Sequence, residues 1–508
     1  MVQSLMARLW GLAPKHVAPP PVPTDTVYPV HSLDDTAVLR SVVVTCTLHF
    51  DAVLDPDVLA AGLTGLLSQG DWRKLGGRLR LRPDGSGRLE VHTPAAYTAA
   101  RPAAAFSRQV FAVRIAEHPL AARLPRPTAR GPSVHRGGQV FRPFAARPDV
   151  PARLDDYLYS DAPLLSVHVT LFDDATLVGF CVPHVLSDGM GMAAMVAAWS
   201  LVLAGRAAEV PPVLGARQDV LAGVGDDGDD KAAKEFVLED QKLGVWGTIR
   251  MILGLLWELY WYPEMEQHIM CLPPSFLARL RRQAEEDLRA EGQGEDGPAF
   301  VTDGDLISAW GTRMIMDAEP GARPAVILNA LDVRPKLPGV VRPAAEGVYV
   351  QNLVVSTFTT LTAAEAWRGS LGGIAVRVRR SLAEQTTPAQ ARRMVGELRP
   401  ALAGTGFGLF FGDPSSRLVI LTNWTKMNVF EAVDFGPAVV KARPEAERTV
   451  APGRVVGMLS LALAANRWTR HMINVAGKDK EGNTWINAWL APGAWRNIER
   501  DFAATTSA

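Results

Sequence analysis

Apolar and polar positions alternate in a way that predicts strands and helices in turn along the chain. Residues 39–50 (LRSVVVTCTLHF) are rich in β-branched side chains and predict a strand. Leucines at helical spacing then predict a helix over 55–67. A Gly-Gly pair and a Pro-Asp-Gly turn within 76–92 predict a β-hairpin. The chain therefore begins with a mixed α/β pattern.

The clearest pattern lies around His184. Two apolar runs, 164–172 and 175–185, flank an Asp-Asp pair and predict a strand, a turn and a second strand. From residue 190 to 205 the composition changes to Met, Ala and Leu, which predicts a helix ending at a glycine. His184 is therefore expected where a buried strand gives way to a helix.

The middle of the chain is less regular. Dense prolines and arginines over 94–151 predict irregular connections and short edge strands. Residues 206–242 are poor in apolar side chains and contain the acidic stretch 226–230, which predicts an interdomain linker. The first domain is therefore expected to end near residue 205.

One apolar segment, residues 243–262, has about the length of a membrane span. Arg250 and Glu258 lie inside it, and each would cost roughly 2.5–3.5 kcal/mol near a bilayer centre. We therefore expect no stable membrane span. The segment predicts a long buried helix, with a helix that covers an apolar cleft or rests on a membrane surface as alternatives.

The second half continues the αβ alternation. Helices are predicted over 276–286, 303–317, 363–384 and 388–398, with a polar loop at 291–297. Strands are predicted over 325–333, 348–358, 417–424, 455–464 and 484–490. Asp303 is the expected cap of the second helix, whose apolar face carries Leu306, Ile307, Trp310 and Met314.

The length of the chain bears on the number of domains, and its charge bears on the kind of partner. At 508 residues the chain exceeds a single core, which stops growing near roughly 250–300 residues. We predict two domains, 1–205 and 269–508, joined by a linker or crossover with the apolar helix at 206–268. Lys+Arg and Asp+Glu both number 53, so no net field favours a nucleic acid partner.

Cysteine usage and the start of the chain bear on location. Three widely spaced cysteines without metal-ligand spacing predict neither a disulfide framework nor a zinc site. Residues 1–13 lack the uninterrupted apolar core of a signal peptide. We therefore expect a cytoplasmic protein.

His184 is the candidate for chemistry. A reaction that removes a proton from an acceptor group needs a base near that group and an enclosure that excludes water. With an ordinary pKa of about 6.5, a histidine is mostly neutral at cytosolic pH and can accept a proton. Taken alone, a histidine at the end of an apolar strand is more often a core residue than a catalyst.

Several motifs carry a family resemblance. Residues 184–189 have the pattern H-x-x-x-D-G, and far downstream 423–426 (NWTK) and 433–436 (VDFG) follow in order. Together they resemble the BAHD-type acyltransferases of the HxxxD superfamily, and the spacing is similar to the fungal, trichothecene acetyltransferase-like branch. Weaker agreement comes from residues 28–34, 76–79, 332–334 and 349–352.

The resemblance implies a fold and an activity. The fold would be α/β, a two-domain chloramphenicol-acetyltransferase-like arrangement in which helices flank a mixed sheet in each domain and an active-site tunnel lies at the interface. The activity would be transfer of an acyl group from acyl-CoA, acetyl-CoA by default, to a hydroxyl, less readily an amine, of an apolar specialised metabolite. The family implies a monomer that uses no metal.

The resemblance also implies roles for individual residues. His184 would be the general base, with direct attack of the acceptor and no acyl-enzyme intermediate. Asp188 would point away from the substrate and pair with Arg334, which would hold the turn that presents the histidine. Gly189 would leave room for the co-substrate, and Asn352 would hydrogen-bond the far ring nitrogen of His184.

Further roles fall on the second half. Thr422 and Trp424 would face His184, where the indole N–H could donate to an acyl or acceptor oxygen; Trp424 as core packing is an equal alternative. Asp434 and Gly436 belong to a loop that supports the architecture away from the histidine. That loop loses the family's second tryptophan and glycine, which predicts altered geometry on the CoA side.

Two other functions stay open. Peptide-forming condensation domains usually carry a second histidine where this chain has Pro183, which favours the CoA-using branch over a catalyst that takes its donor from a carrier protein. The last alternative is a degenerate homologue that binds a metabolite or catalyses a rearrangement without acyl transfer. The combination of His184, Asp188, Arg334 and Asn352 argues against such decay.

Overall fold

The structure is a computed structural model that describes most of the chain. The described residues are 17–129, 131–225, 236–292, 300–318, 323–406, 408–464 and 469–507. The expectations for residues 1–13, for the acidic stretch 226–230 and for most of the loop 291–297 lie outside the described residues.

The strands of the described residues alternate with helices along the chain. They are β1 Thr26–Pro29, β2 Val43–Phe50, β3 Ala52–Leu54, β4 Arg78–Leu81, β5 Leu89–Thr93, β6 Ala105–Val110, β7 Ser133–Arg136, β8 Ser166–Leu171, β9 Thr176–Pro183, β10 Glu266–Leu272, β11 Ala325–Asp332, β12 Val354–Leu361, β13 Arg417–Asn423, β14 Val439–Ala442, β15 Val455–Ala462, β16 Met472–Lys478 and β17 Thr484–Leu490. Seven of the eight strand segments predicted from the pattern overlap an observed strand by most of their length, and the predicted strand 348–358 begins late, at Val354.

The α-helices include both long and single-turn elements. They are α1 Pro56–Leu67, α2 Arg142–Ala145, α3 Leu154–Leu158, α4 Gly189–Leu203, α5 Val245–Trp261, α6 Pro274–Ala290, α7 Asp303–Met316, α8 Ala363–Arg368, α9 Leu371–Gln385, α10 Pro388–Thr405, α11 Val429–Ala432 and α12 Pro492–Ser507.

A five-stranded sheet of order β15-β2-β9-β8-β6 carries the HxxxD segment. Strands β8 and β9 are antiparallel neighbours, as the pattern of 164–185 predicts. β9 is buried along its whole length because it is central and both of its faces are covered. Gly179 in β9 lets the backbone of Ala145 in α2 approach, since a Cβ there would lie 2.3 Å from the Ala145 oxygen.

A seven-stranded sheet of order β12-β11-β13-β16-β17-β10-β7 organises the second half. β11, β13 and β16 run parallel, and the outer pairs are antiparallel. β10 and β16 are strands that the pattern did not predict. The mixed sheets with their flanking helices confirm the predicted α/β fold class.

The two large sheets exchange strands. β15 comes from the second half of the chain and pairs with β2 in the first sheet. β7 comes from the first half and pairs with β10 at the edge of the second sheet. Short edge strands in 94–151 are thus present, as predicted, at β6 and β7. The domain limits at 205 and 269 stay a prediction.

Capping residues explain two differences from the predicted helices. Thr302, and not Asp303, caps α7, because its side chain accepts from the Asp305 amide while the Asp305 carboxylate accepts from Thr302. The predicted helix 363–384 is two helices, since Ser370 caps a new one by accepting from the Gly373 amide.

Helix α5 corrects the expectation of a buried helix for residues 243–262. Most of its large apolar side chains are exposed, and Glu258 is the only one of its residues that is classed as buried. Among the helices of the described residues, none has both the length and the hydropathy needed to cross a membrane.

Candidate active site

His184 lies directly after β9, where the strand turns towards α4. Its backbone amide donates to the carbonyl of Val42 at 3.0 Å, which continues the pairing with the β2 strand. The residues of β9 are buried, whereas His184 retains partial exposure. The strand therefore ends by presenting one polar side chain at an accessible edge of the core.

The surroundings of the His184 imidazole disfavour its charged form. Burial lowers its pKa, because the surrounding protein disfavours the charged ring; its own carbonyl, Asp188, Asn352 and Ser187 offset part of that effect. Its Nδ1 atom is buried and has no hydrogen-bond partner among the described residues. A neutral imidazole can accept a proton at neutral pH.

Asp188 fixes the turn that follows His184. Its Oδ1 accepts from the backbone amide of Gly191 at 2.9 Å and so caps the first turn of α4. The same carboxylate binds both terminal nitrogens of Arg334, at 2.9 and 3.0 Å, and accepts from the Leu353 amide at 3.0 Å. The predicted ion pair is present, with bidentate geometry.

Arg334 connects this turn to the second half of the chain. Beyond Asp188 it donates to Asp332 at 2.9 Å and to the carbonyls of Tyr349 and Gln351 at 3.1 and 2.8 Å. Neighbouring carboxylates raise the pKa of Arg334 against the opposing effect of its burial. The pair is therefore a clamp that joins the His184 turn to the segment before β12.

Asn352 lies against His184. Its side-chain amide donates to the backbone carbonyl of His184 at 2.8 Å, and a side-chain hydrogen bond of Asn352 is among the effects that raise the pKa of the ring. The same Nδ2 also donates to Asp34 at 2.7 Å. Both hydrogens of this Nδ2 group are engaged, so Oδ1 is the atom of the side chain that is left to accept from a ring N–H.

Asp34 is a site residue that the sequence did not reveal. It is 1% exposed, and its Oδ1 also accepts from the backbone amide of Asn352 at 2.7 Å. Burial raises the pKa of Asp34 to about 6, although the nearby buried Lys74 and the Asn352 donors act in the other direction. The only sequence signal was its place in the weaker family segment 28–34.

Gly189 and Trp424 meet at the start of α4. A Cβ atom at Gly189 would lie 3.2 Å from the Met427 sulfur and 3.6 Å from the Trp424 Nε1. Trp424 follows β13, its amide donates to the Val475 carbonyl at 2.8 Å, and its side chain is partly exposed. An indole N–H therefore lies beside the glycine of the H-x-x-x-D-G motif.

Thr422 lies on β13 and pairs in register with Asn474 of β16. Its side chain is partly exposed, but none of the hydrogen bonds that join His184, Asp188, Arg334 and Asn352 in the described structure involves it. The structure therefore places the Trp424 indole beside the motif, and the role of Thr422 stays a prediction.

The Asp434–Gly436 loop supports the far end of α4. The Asp434 amide donates to Ser200 Oγ at 3.0 Å, and the Gly436 amide donates to Asp434 at 2.9 Å. Phe435 is fully buried between Phe50 and Trp199, with ring centroids 5.2 and 4.7 Å away. The loop joins the two halves at the opposite end of the helix from Asp188.

The described residues also bear on whether the chain holds a metal-binding group, a disulfide or another cavity. No group of three or more His, Cys, Asp or Glu side chains there is arranged to hold a metal ion. Cys46, Cys181 and Cys271 are buried and free. A cavity of about 360 Å³ is lined by residues such as Arg281, Asp303 and Lys478, but His184 does not line it.

The comparisons with known proteins agree with this geometry. The chain is 39% identical over 494 residues to the acetyltransferase pyiB of Pyricularia grisea, covering 97% of this chain and 96% of that protein. It is 36% identical over 497 residues to the acetyltransferase BOT5 of Botryotinia fuckeliana, covering 94% and 90%. No family model matches the chain.

Among solved structures, the fold is similar to that of TRI101 of F. sporotrichioides, crystallised with coenzyme A and T-2. The TM-score is 0.63 at 16% identity, and the match covers 94% of this chain and 97% of the other. At 16% identity, this similarity shows that the two proteins share a fold.

Proposed function

The chain belongs to the fungal acetyltransferases of the BAHD type, which are acyl-CoA-dependent acyltransferases, and on this premise we propose its reaction. It transfers an acyl group from acyl-CoA to a hydroxyl of an apolar specialised metabolite. We expect acetyl-CoA to be the donor. An amine is the less favoured acceptor.

The proposed step is direct. The unprotonated nitrogen of His184 removes the acceptor hydroxyl proton as the oxygen attacks the thioester carbonyl. The tetrahedral intermediate collapses with cleavage of the C–S bond, and the imidazolium returns the proton to the leaving sulfur. Ester and CoA thiol leave, and no acyl-enzyme forms.

The observation that carries the proposal is the position of His184. The side chain is partly exposed and lies on a turn that Asp188 and Asn352 hold from behind, and burial keeps the pKa of the ring below its ordinary value. A general base needs this combination, because its proton affinity and its position must both be right before the substrate arrives.

Trp424 is the proposed donor to developing negative charge. Its Nε1 lies beside Gly189, so an oxygen bound over that glycine is within reach of the indole N–H. A hydrogen bond made only in the transition state raises the rate of the chemical step. Gly189 supplies the space for this approach, since any side chain there would contact Trp424 and Met427.

A cytoplasmic location and a monomeric state belong to the same proposal. Three buried, free cysteines fit a reducing compartment, where disulfides are rare. Gel filtration of the purified chain tests the monomeric state.

The decisive experiment combines acetyl-CoA with a panel of apolar alcohols and detects products by mass spectrometry. In a productive pair, His184→Ala should lower kcat/KM by at least about 100-fold, because a positioned base contributes about 10²–10⁴. His268→Ala removes a histidine of β10 that is paired with Glu266 and lies outside the site, and it should leave kcat/KM unchanged.

Two outcomes would contradict the proposal. Near-normal turnover by a folded His184→Ala variant would reject the base assignment. Acylation from an acyl-loaded carrier protein, with none from acyl-CoA, would favour the condensation-type reaction instead.

A further inference from the structure

Helix α5 (Val245–Trp261) turns its apolar face away from the protein. Its exposed side chains recur every three or four residues and so share one half of the helix. They are Val245, Trp246, Ile249, Ile252, Leu253, Leu256, Trp257, Tyr260 and Trp261, with exposures from 41% to 83%. No described residue covers this face, which reverses the usual arrangement of a surface helix.

The acidic side chain of α5 points inward. Glu258 is 8% exposed and pairs with Arg323 at 2.9 Å and with the buried Arg417 at 3.2 Å. Arg470 approaches the same carboxylate at 4.0 Å. A buried carboxylate requires such partners, so these contacts fix which side of the helix faces the protein.

Both ends of α5 are also tied to the body of the protein. The amide of Leu243, just before the helix, donates to the Phe410 carbonyl at 2.9 Å. Arg470 donates to the carbonyl of Tyr262, just after the helix, at 2.7 Å. The exposed face is therefore held outward by specific contacts at both ends and in the middle.

The composition of this face suits a lipid surface. Trp246, Trp257 and Trp261 carry an apolar ring with one N–H, a combination that concentrates at the boundary between headgroups and acyl chains. Arg250 lies on the same face, is exposed, and has a long apolar stem that can reach a headgroup phosphate.

The area of the face argues against a second copy of the chain. A helix of 17 residues is about 25 Å long, and half of a cylinder about 10 Å wide offers roughly 400 Å². A stable protein interface buries about 800 Å² on each partner. A bilayer needs no matching surface and can take up an isolated apolar stripe of this size.

We propose that the outward face of α5 binds the surface of a lipid bilayer, with the helix axis parallel to the membrane and the apolar side chains at the headgroup boundary. The inward contacts of Glu258 keep the protein body on the aqueous side. This inference does not depend on the catalytic assignments.

The test is flotation of the purified full chain with phosphatidylcholine vesicles, with and without phosphatidylserine. The wild-type chain should float with both kinds of vesicle. Replacing Trp246, Leu253 and Trp257 together by Glu should lower the partition coefficient at least about tenfold, since charge is costly in the apolar layer.

A matched control carries the same three charges elsewhere. Phe300, Trp367 and Val440 are also exposed, at 75%, 44% and 63%, but they are scattered over the surface. Replacing these three by Glu should leave flotation as in the wild type. Both variants should keep the wild-type melting temperature and the wild-type kcat/KM for a water-soluble acceptor.

Three results would overturn the proposal. The wild-type chain could fail to float with either kind of vesicle. Sedimentation could show a dimer that the three α5 substitutions abolish, which would make a second copy the occupant. Flotation could require removal of residues 1–16, which would make that segment the cover of the face.

Discussion

Asp188 and Glu258 are both buried against arginine side chains, and the two pairs have opposite structural effects. Asp188 lies behind the His184 turn and is enclosed by the two halves of the chain. Glu258 lies beneath an exposed helix and faces Arg323 and Arg417. The first pair holds the turn that carries His184, and the second holds an apolar helix face towards the outside.

The two pairs differ in how completely they are enclosed. Asp188 has both oxygens engaged by Arg334 and by two backbone amides, and its side chain is 3% exposed. The Glu258 side chain is 11% exposed and its partner Arg417 is 4% exposed, but its other partner Arg323 is 36% exposed, so water can take over part of the solvation of Arg323. The Asp188 and Glu258 ion pairs are therefore expected to contribute unequally to the free energy of unfolding.

The largest effect on stability should come from Asp188→Ala. It leaves Arg334 buried without its main counter-charge and removes the cap of α4, so the free energy of unfolding should fall by about 3–5 kcal/mol. Activity should fall with it because the His184 turn loses its support. Urea denaturation and kcat/KM measured on the same preparation test this. A variant as stable as the wild type would argue against the clamp.

A smaller effect is expected from Glu258→Ala. The partly exposed Arg323 can be hydrated again while Arg417 stays buried, so the loss of unfolding free energy should be about 1–3 kcal/mol. At a temperature where the variant is folded, kcat/KM for a water-soluble acceptor should match the wild type. A large loss of kcat/KM in the folded variant would show that the two regions are coupled.

The smallest effect is expected on the pH dependence of kcat/KM. Because the pKa of His184 lies below its ordinary 6.5, the ring stays neutral as pH falls through that value, and the acid limb of kcat/KM should inflect below 6.5. The charge of Asp188 raises the pKa of His184, so Asp188→Asn should move the limb to lower pH. An unmoved limb would mean that Asp188 acts through geometry alone.

The same shift has a consequence for stability with a definite sign. The unfolded chain binds the His184 proton at its ordinary pKa, and the folded chain does so only at lower pH. As pH falls below 6.5, protonation therefore favours the unfolded state until the folded pKa is reached. His184→Gln should flatten this part of the stability profile.

Much of the core fold could be predicted because its signals are local. Alternation and β-branched content located β9 and β17, and the change to Met, Ala and Leu located α4 within two residues. β16 was missed because its sequence, MINVAGK, contains a glycine and ends in a lysine. It is a strand because β13 and β17 pair with it on both sides.

The orientation of α5 could not be predicted from its pattern. Helical periodicity shows that apolar residues share a face, but the side on which the protein lies depends on distant partners. Arg323 and Arg417 face Glu258 from 65 and 159 residues away in sequence. An acidic residue within an apolar segment was the only local hint.

The site was predicted in part. The pairing of Asp188 with Arg334 followed from the resemblance and is present in the structure. Asn352 contacts His184, as the resemblance implies, and its bond to the backbone carbonyl is one that a sequence does not reveal; its bond to the far ring nitrogen stays a prediction. Asp34 joins the cluster from 318 residues away, which no local pattern reveals. The roles of these residues in the reaction stay predictions.

The exchange of strands has a consequence for biosynthesis. β2 is made early, but its neighbour β15 ends at residue 462, so ribosomes that add about 5–20 residues per second need roughly 20–80 s to deliver it. During that time the nascent chain carries a β-branched strand edge open to any other nascent chain. Yield in a foreign host should therefore respond to translation speed and to the chaperones that shield such edges.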